Sequence, residues 1–563
     1  MNRWIYFSLC IFIGLILLMA GRLIPIHLRA VDASVLQRAG QKSPSLVERG
    51  LALVRETKTG AAELLFKAAQ QENIPDHQKL RAEIDAASKL QPERQILGAD
   101  PRIKALLSFK DTKSRPQAEA VPFTDLVIQA ENRDAALKAL RNSPNSAVQQ
   151  LLQCRSLANT VLFSPSQSSS GQAFDTALSI AGLLLGGQHL SAGLTESIFT
   201  SSSDALRGEN SQSLEQILLD LMSLGQRFNW GQLVAFCEPI DSAETLRLQT
   251  ILVRNTETQL PILFSAVQLS GNPAGVAKYL MSFSETGKKD LATSLRYGAG
   301  GVNELLERNQ RLHPAAVQGK LNAFSEGFVY LPWQAPRLAL GLKWFLYLAA
   351  GFLLALAMHF ARPLTPKAER PFHVRGFHVA REVLFALGFL LVVLLLSEPF
   401  LSQESQNVEF PIRLQLPTVS NAVQTEITDV QGSIMNQLSL LTLLLFFVLQ
   451  GLIYIACLVK LAEIRRQTFT AAMKIKLLEN EDNFFDAGLY LGFAGTIISL
   501  ILVSTGIIQP SLMAAYSSTA FGVIFVSLFK IFHLRPLRRK LLLEAESVKH
   551  VAAPVATPFA TPL

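Results

Sequence analysis

Two patterns of apolar and polar positions divide this chain. From 30 to 335 charged, polar and apolar residues mix in ordinary proportion, whereas 4–20 and the chain after 338 carry concentrated apolar blocks. A helix crossing hydrocarbon needs roughly 20 mostly apolar residues, because every backbone polar group must be satisfied within the segment. Five stretches after 335 meet or approach that length: 338–360 (LALGLKWFLYLAAGFLLALAMHF), 381–398, 437–459 (QLSLLTLLLFFVLQGLIYIACLV), 485–507 and 513–532. The last two also carry Thr496, Ser499, Ser504, Thr505, Ser517, Ser518 and Thr519, so they are helices along which something polar can pass.

The intervening region reads as helix. SLVERGLALVRE, AELLFKAAQQ, KLRAEIDAASKL, AVQQLLQCRSLANTVL, SLEQILLDLMSLGQ and VNELLERNQ place apolar residues three and four apart, while strand-like alternation is scarce. Short breaks such as ENIPD, QPE and RNSPNS join them, with one longer polar linker, SPSQSSSGQ, at 164–172. Helical hairpins joined this way predict a solenoid-like domain, although no fixed repeat period emerges. ALSIAGLLLGG at 177–187 is too short to span a bilayer and predicts a buried core helix. The expected architecture is all-α: a polytopic membrane helix bundle with a large extracytoplasmic helical domain. Its divisions are 1–29 (anchor or signal segment), 30–335 (helical domain), 336–400 (helix pair), 401–436 (outer connection), 437–540 (three-helix membrane domain) and 541–563 (cytoplasmic tail, disordered at its end).

Charge assigns sides. The net charge of +8 and pI near 9.3 come largely from Lys and Arg beside apolar segments, where they set orientation rather than bind nucleic acid. Connections 361–381 (Arg362, Lys367, Arg370, Arg375, Arg381) and 460–484 (Lys460, Arg465, Arg466, Lys474, Lys476) belong inside, as does the basic stretch Lys530–Lys540. Segment 399–436, with Glu404, Glu409, Glu426 and Asp429 against Arg413, and the uncharged IQPS at 508–511 belong outside. Five helices then alternate, which puts both termini in the cytoplasm and the helical domain beyond a bacterial-type inner membrane. The flank of 4–20 disagrees: Arg22, Arg29 and Arg38 follow it and only Arg3 precedes it. The four agreeing connections outweigh that flank. The segment itself is either an uncleaved anchor or a leader removed near Ala20 and Gly21.

Candidate chemistry is sparse. Of four cysteines, Cys10 and Cys457 lie in apolar runs, and free buried thiols are the expected state of Cys154 and Cys237. His189 and His313 stand alone without ligand spacing, YGAGG at 297–301 reads as a helix C-cap and turn, and GKK at 287–289 lacks the rest of a phosphate loop. There is no HExxH, GxSxG or paired CxxC, so neither an enzyme, a metal site nor a cofactor is expected.

The last two apolar helices are more specific. LYLGFAGTIISLILVSTG and PSLMAAYSSTAFGVIFVSLFKIFHLRPLRRK resemble the paired helices of the MotA/TolQ/ExbB proton-channel family. There, one helix carries a stretch of the form LGLLGTVxG and the next a TAxG element before a basic cytoplasmic end. Leu491, Gly492, Gly495 and Thr496 match the first, and Thr519, Ala520 and Gly522 the second. The resemblance covers 437–535 and includes the topology deduced from charge. It implies a homo-oligomeric ring of helices around the single span of a TolR/ExbD/MotB-type partner, in the lipid bilayer, with an envelope protein bound by the outer domain. It also implies that Thr496 and Thr519, with Ser499 and Ser518, line the channel while Gly492, Gly495 and Gly522 pack the helices.

Departures accompany the matches. Ala514 stands where TolQ and ExbB carry a glutamate, which MotA also lacks; Leu528 replaces the usual later proline; Ser499 replaces the second glycine of the first motif; and the connection 460–484 is short for the family. Hydroxyls in membrane helices also bond to their own backbone, so packing competes with channel lining at each of them. A membrane-anchored helical scaffold without conduction is the competing reading.

Overall fold

The computed structural model describes residues 2–90, 103, 121–255, 259–313, 322–361, 377–398, 437–504 and 512–551. The charged connections at 362–376 and 399–436, the turn at 505–511 and the end of the tail at 552–563 lie outside the described residues, and with them most of the charge argument for topology. The described residues are almost wholly helical and fall into two units: Ala30–Leu321 forms the bulk of one, and the apolar segments on either side of it form the other.

In the first unit the chain runs through strand β1 (Ala30–Asp32) and helices α2 (Ala33–Gly40), α3 (Leu46–Arg55), α4 (Thr59–Gln71), α5 (His77–Leu90), α6 (Phe123–Val127), α7 (Ala130–Arg141) and α8 (Ser146–Gln153). It continues through α9 (Gln172–Gly186), α10 (Ala192–Arg207), α11 (Gln212–Gly225), α12 (Trp230–Cys237), α13 (Ala243–Arg254), α14 (Leu260–Ser270), α15 (Pro273–Ser294), α16 (Gly298–Arg308) and strand β2 (Arg311–His313). Local signals start several of these helices. Ser45 and Asn229 head α3 and α12 with reciprocal capping boxes to Glu48 and Gln232, and Ser191 and Ser242 cap α10 and α13. α9 is buried from Phe174 to Leu185, the place expected of ALSIAGLLLGG.

Alternate helices α9, α11, α13 and α15 pack in a row, as hairpin repeats do. The domain nevertheless does not stay open as a solenoid would. α4 packs on α14, α2 on α16, and β1 pairs in parallel with β2, so its two ends close on each other. YGAGG sits at a helix end, as expected, with Gly298 capping the turn Leu295–Tyr297, and it also takes part in that closure. Gly298 takes φ +72 to open α16, and a Cβ on Gly300 would fall 2.2 Å from the Ala39 carbonyl of α2. Asp290 secures β2: its Oδ2 accepts from Arg311 Nε at 2.6 Å and from the Leu312 amide at 3.1 Å, beside the Tyr279 hydroxyl at 3.2 Å. In the core, Glu215 is fully buried and accepts from the amides of Val161, Leu162 and Phe163, and Arg155 grips Asp175 with two bonds at 2.9 and 2.8 Å.

The second unit contains α1 (Asn2–Leu23), α17 (Asn322–Gln334), α18 (Pro336–Ala361), α19 (Phe377–Ser397), α20 (Gln437–Arg466), α21 (Ala471–Asn480), α22 (Asp482–Phe485), α23 (Ala487–Ser504), α24 (Leu512–Phe529) and α25 (Arg535–Val551). Among the described residues four helical stretches are long and apolar enough to cross a membrane: Trp4–Leu23, Pro336–Met358, Leu443–Arg466 and Tyr516–Ser547. The other two expected spans form helices α19 and α23, whose described apolar parts, Glu382–Leu394 and Ala487–Ile497, are shorter. The last apolar helix continues beyond 532. A π-helical turn, Lys530–Leu534, joins α24 to α25, so 541–551, expected within the tail, is helical. The reason is amphipathic packing: Leu534 and Leu541 close a cluster with Cys457, Leu461, Ile464, Leu478, Phe485 and Phe529 from α20 through α24.

Candidate functional site

α23 and α24 meet along a seam of small residues. A Cβ on Gly492 would lie 2.8 Å from the Ser518 carbonyl oxygen, one on Gly495 2.5 Å from Ser518 Oγ, and one on Gly522 2.7 Å from the Gly488 carbonyl oxygen. All three glycines singled out in the sequence therefore sit where backbone meets backbone or side chain without room for a methyl group. Gly488, which the motif does not include, joins them one turn before Gly492.

The two motif threonines come together across this seam. Their hydroxyl oxygens are 2.5 Å apart, and each also lies within hydrogen-bond distance of the Gly492 carbonyl, at 3.1 Å from Thr496 and 3.2 Å from Thr519. Each hydroxyl has one hydrogen and two acceptor positions, so the pair and the carbonyl admit more than one donor order. Thr496 and Ser518 are buried and Thr519 half-buried. Within one chain the hydroxyls thus face the neighbouring helix. Ser499 lies on α23, and its side chain is outside the described residues.

Three further groups extend this polar line and were not singled out in the sequence. Gln450, buried in the middle of α20, donates from Nε2 to the Gly488 carbonyl at 3.0 Å, and its Oε1 has no hydrogen-bond partner among the described residues. One turn further along α20, the Tyr454 hydroxyl lies 2.9 Å from Nε2 of His533, on the π-helical turn. Gln450 had a legible signal, an amide inside FFVLQGLIY, since a polar side chain within an apolar span is costly without a role. The Tyr454–His533 contact, 79 positions apart, had none.

The acidic residues Glu479, Glu481, Asp482 and Asp486 are each beside a cation. Lys530 Nζ is 2.8 Å from Asp486 and 3.8 Å from Asp482, Lys460 is 3.4 Å from Glu481, and Arg538 is 2.9 Å from Glu479. A second polar cluster joins α1, α18 and α19. Lys343 is buried; its Nζ donates to the Ile26 carbonyl and lies 3.5 Å from Glu398 Oε1. Glu398 Oε2 accepts from the Leu28 amide at 2.7 Å, with His27 Nδ1 3.8 Å away. This cluster fixes the end of α1.

No family model, curated protein or solved structure matches this chain.

Outside the membrane-like helices, the described residues offer no competing centre. His189 stacks edge-on against Trp230, Lys288 of GKK pairs with Glu285, and all four cysteines are free thiols. Burial pushes the Cys154 thiol up to about 11 and the Cys237 thiol up to about 12. Both therefore stay protonated and unreactive.

Proposed function

We propose that this chain is a proton-channel-like subunit of an ion-motive-force-driven envelope energy-transducing complex in a bacterial inner membrane. It acts as a homo-oligomer with a single-span partner of the TolR/ExbD/MotB kind, and its outer helical domain docks an envelope protein. The observation that carries this reading is the Thr496–Thr519 hydroxyl pair on the Gly492 carbonyl. Two hydroxyls that can exchange donor and acceptor roles inside an apolar bundle supply what a proton or a partly dehydrated cation needs and apolar side chains do not. Both threonines belong to the motifs by which the chain resembles its proposed family.

The seam glycines favour a second reading, a scaffold in which the same hydroxyls only tie α23 to α24. Replacing Thr496 and Thr519 by Val, singly and together, removes the hydroxyls at nearly constant volume. Conduction predicts that proton flux in vesicles from the native host falls while the amount of assembled complex is unchanged. Loss of assembly before flux, or no flux from the unmodified protein, makes the scaffold the function.

A further inference from the structure

We propose that His533, hydrogen-bonded to Tyr454, is the group that exchanges protons with water at the basic end of the conduction path. The inference rests on the conducting function proposed above and adds to it an entry residue that neither matching motif contains. Polar groups recur along the α20–α23–α24 contact at about one helical turn, ~5.4 Å, per step. The threonine pair on Gly492 comes first; Gln450 on Gly488 is the next step, and Tyr454 with His533 the one after. Lys530 with Asp486 lies alongside, ahead of His533 on the same helical run. Apolar side chains border this line, among them Phe447, Phe521 and Phe525.

The local helix geometry singles out His533. Lys530–Leu534 is a π-helical turn inside an otherwise α-helical run from Leu512 to Val551, and such turns occur disproportionately at functional sites. The turn sets the imidazole against Tyr454 while leaving it half-buried, so one ring nitrogen meets the path and the ring retains access to solvent. Aromatic rings of Phe529 and Tyr454 pack on it, at 6.3 and 6.0 Å between centroids. Charged groups on the elements around it include the Lys530, Asp486 and Asp482 group, Lys460 with Glu463 and Glu481, Arg538 with Glu479, and Arg535 and Arg539 on α25. His533 itself faces the Tyr454 hydroxyl rather than a carboxylate, so it can take up a proton without first breaking an ion pair of its own.

Imidazole moves protons by accepting on one nitrogen and releasing from the other. A proton taken from water onto Nδ1 is matched by one leaving Nε2 for the Tyr454 oxygen, whose own hydroxyl proton passes on toward Gln450. No direct hydrogen bond joins Tyr454 to Gln450 among the described residues, so this step requires a water between them to take that proton and pass its own on. Reorientation of the ring and hydroxyl restores the starting state, with one proton moved and no bond otherwise changed.

The test uses membrane vesicles from the native host, so that any partner is present, with dissipation of an imposed proton gradient as the signal. His533→Gln keeps a donor for Tyr454 but cannot shuttle, and His533→Ala leaves space. Both are expected to lower flux at least about tenfold at unchanged complex abundance. Added imidazole is expected to restore flux in His533→Ala and not in His533→Gln, a response that a purely structural histidine would not give. Should either variant fail to accumulate, Tyr454→Phe decides by removing only the hydroxyl, and it too is expected to slow flux. Wild-type flux in His533→Gln or Tyr454→Phe overturns this inference and leaves the conducting function standing. A wild-type protein that carries no flux overturns both.

Discussion

Asp220 shows what position does to a single side chain. It lies on the buried face of α11, hydrogen-bonded to Gln216, and burial raises its carboxyl from an ordinary 3.8 to about 6 despite Arg247 and Arg254 nearby. A folded-state pKa above the unfolded one means that the folded domain holds the proton more tightly. Its stabilisation is therefore complete below about 3.8 and is lost as pH rises through about 6. Asp220→Asn mimics the protonated form, so hydrogen exchange of α11 in the full chain should show the variant gaining on wild type across that window, by about 3 kcal/mol at most. Lys343 is the complementary case, a buried cation held by Glu398 and the Ile26 carbonyl. Lys343→Met strands Glu398 and should cost about 3–5 kcal/mol, read as a lower thermal midpoint of the detergent-solubilised protein. Adding Glu398→Gln should recover part of that loss.

At the scale of elements, the seam between α23 and α24 depends on absent side chains. A methyl group at Gly492 or Gly522 would meet the carbonyl oxygens of Ser518 and Gly488 at 2.8 and 2.7 Å, and backbone cannot move aside as a flexible side chain can. Gly522→Ala and Gly492→Ala should each weaken the helix pair by about 1–3 kcal/mol and part the Thr496 and Thr519 hydroxyls. The control is Gly341→Ala, where a Cβ meets nothing within 4 Å. Loss of thermal stability at the two seam positions and not at Gly341 is the expected pattern.

For the whole molecule, the parallel pairing of β1 and β2 means that the helical domain begins and ends at one place in its own fold. It is an insertion between two apolar helices, α1 and α18, rather than an appendage at one end. The proposed orientation puts this domain outside and the α21 hairpin inside. In intact cells, Thr200→Cys on α10 should react with a membrane-impermeant maleimide, whereas Met473→Cys on α21 should react only after permeabilisation, both positions being exposed. The reverse labelling pattern would invert the orientation and move the basic end of the seam outside. Cys154, Cys237 and Cys457 are buried and should add little background.

Helix was legible across the described residues, because it is written in local periodicity and in lengths of apolar run. The sequence also marked Gly492, Gly495, Gly522, Thr496 and Thr519, which stand in short motifs. The end of the last helix was not legible, since basic residues after 534 look like a solvated tail until Leu534 and Leu541 are seen packing against α20 to α24. Nor was domain closure, which depends on residues 30–32 meeting 311–313, a pairing with no local signature. Sequence alone determined where helices form and which are apolar, because backbone hydrogen bonding and burial act on neighbours in the chain. The tertiary structure alone decided that Thr496 faces Thr519, that Gln450 reaches Gly488 and that His533 meets Tyr454, because those contacts come from how helices pack.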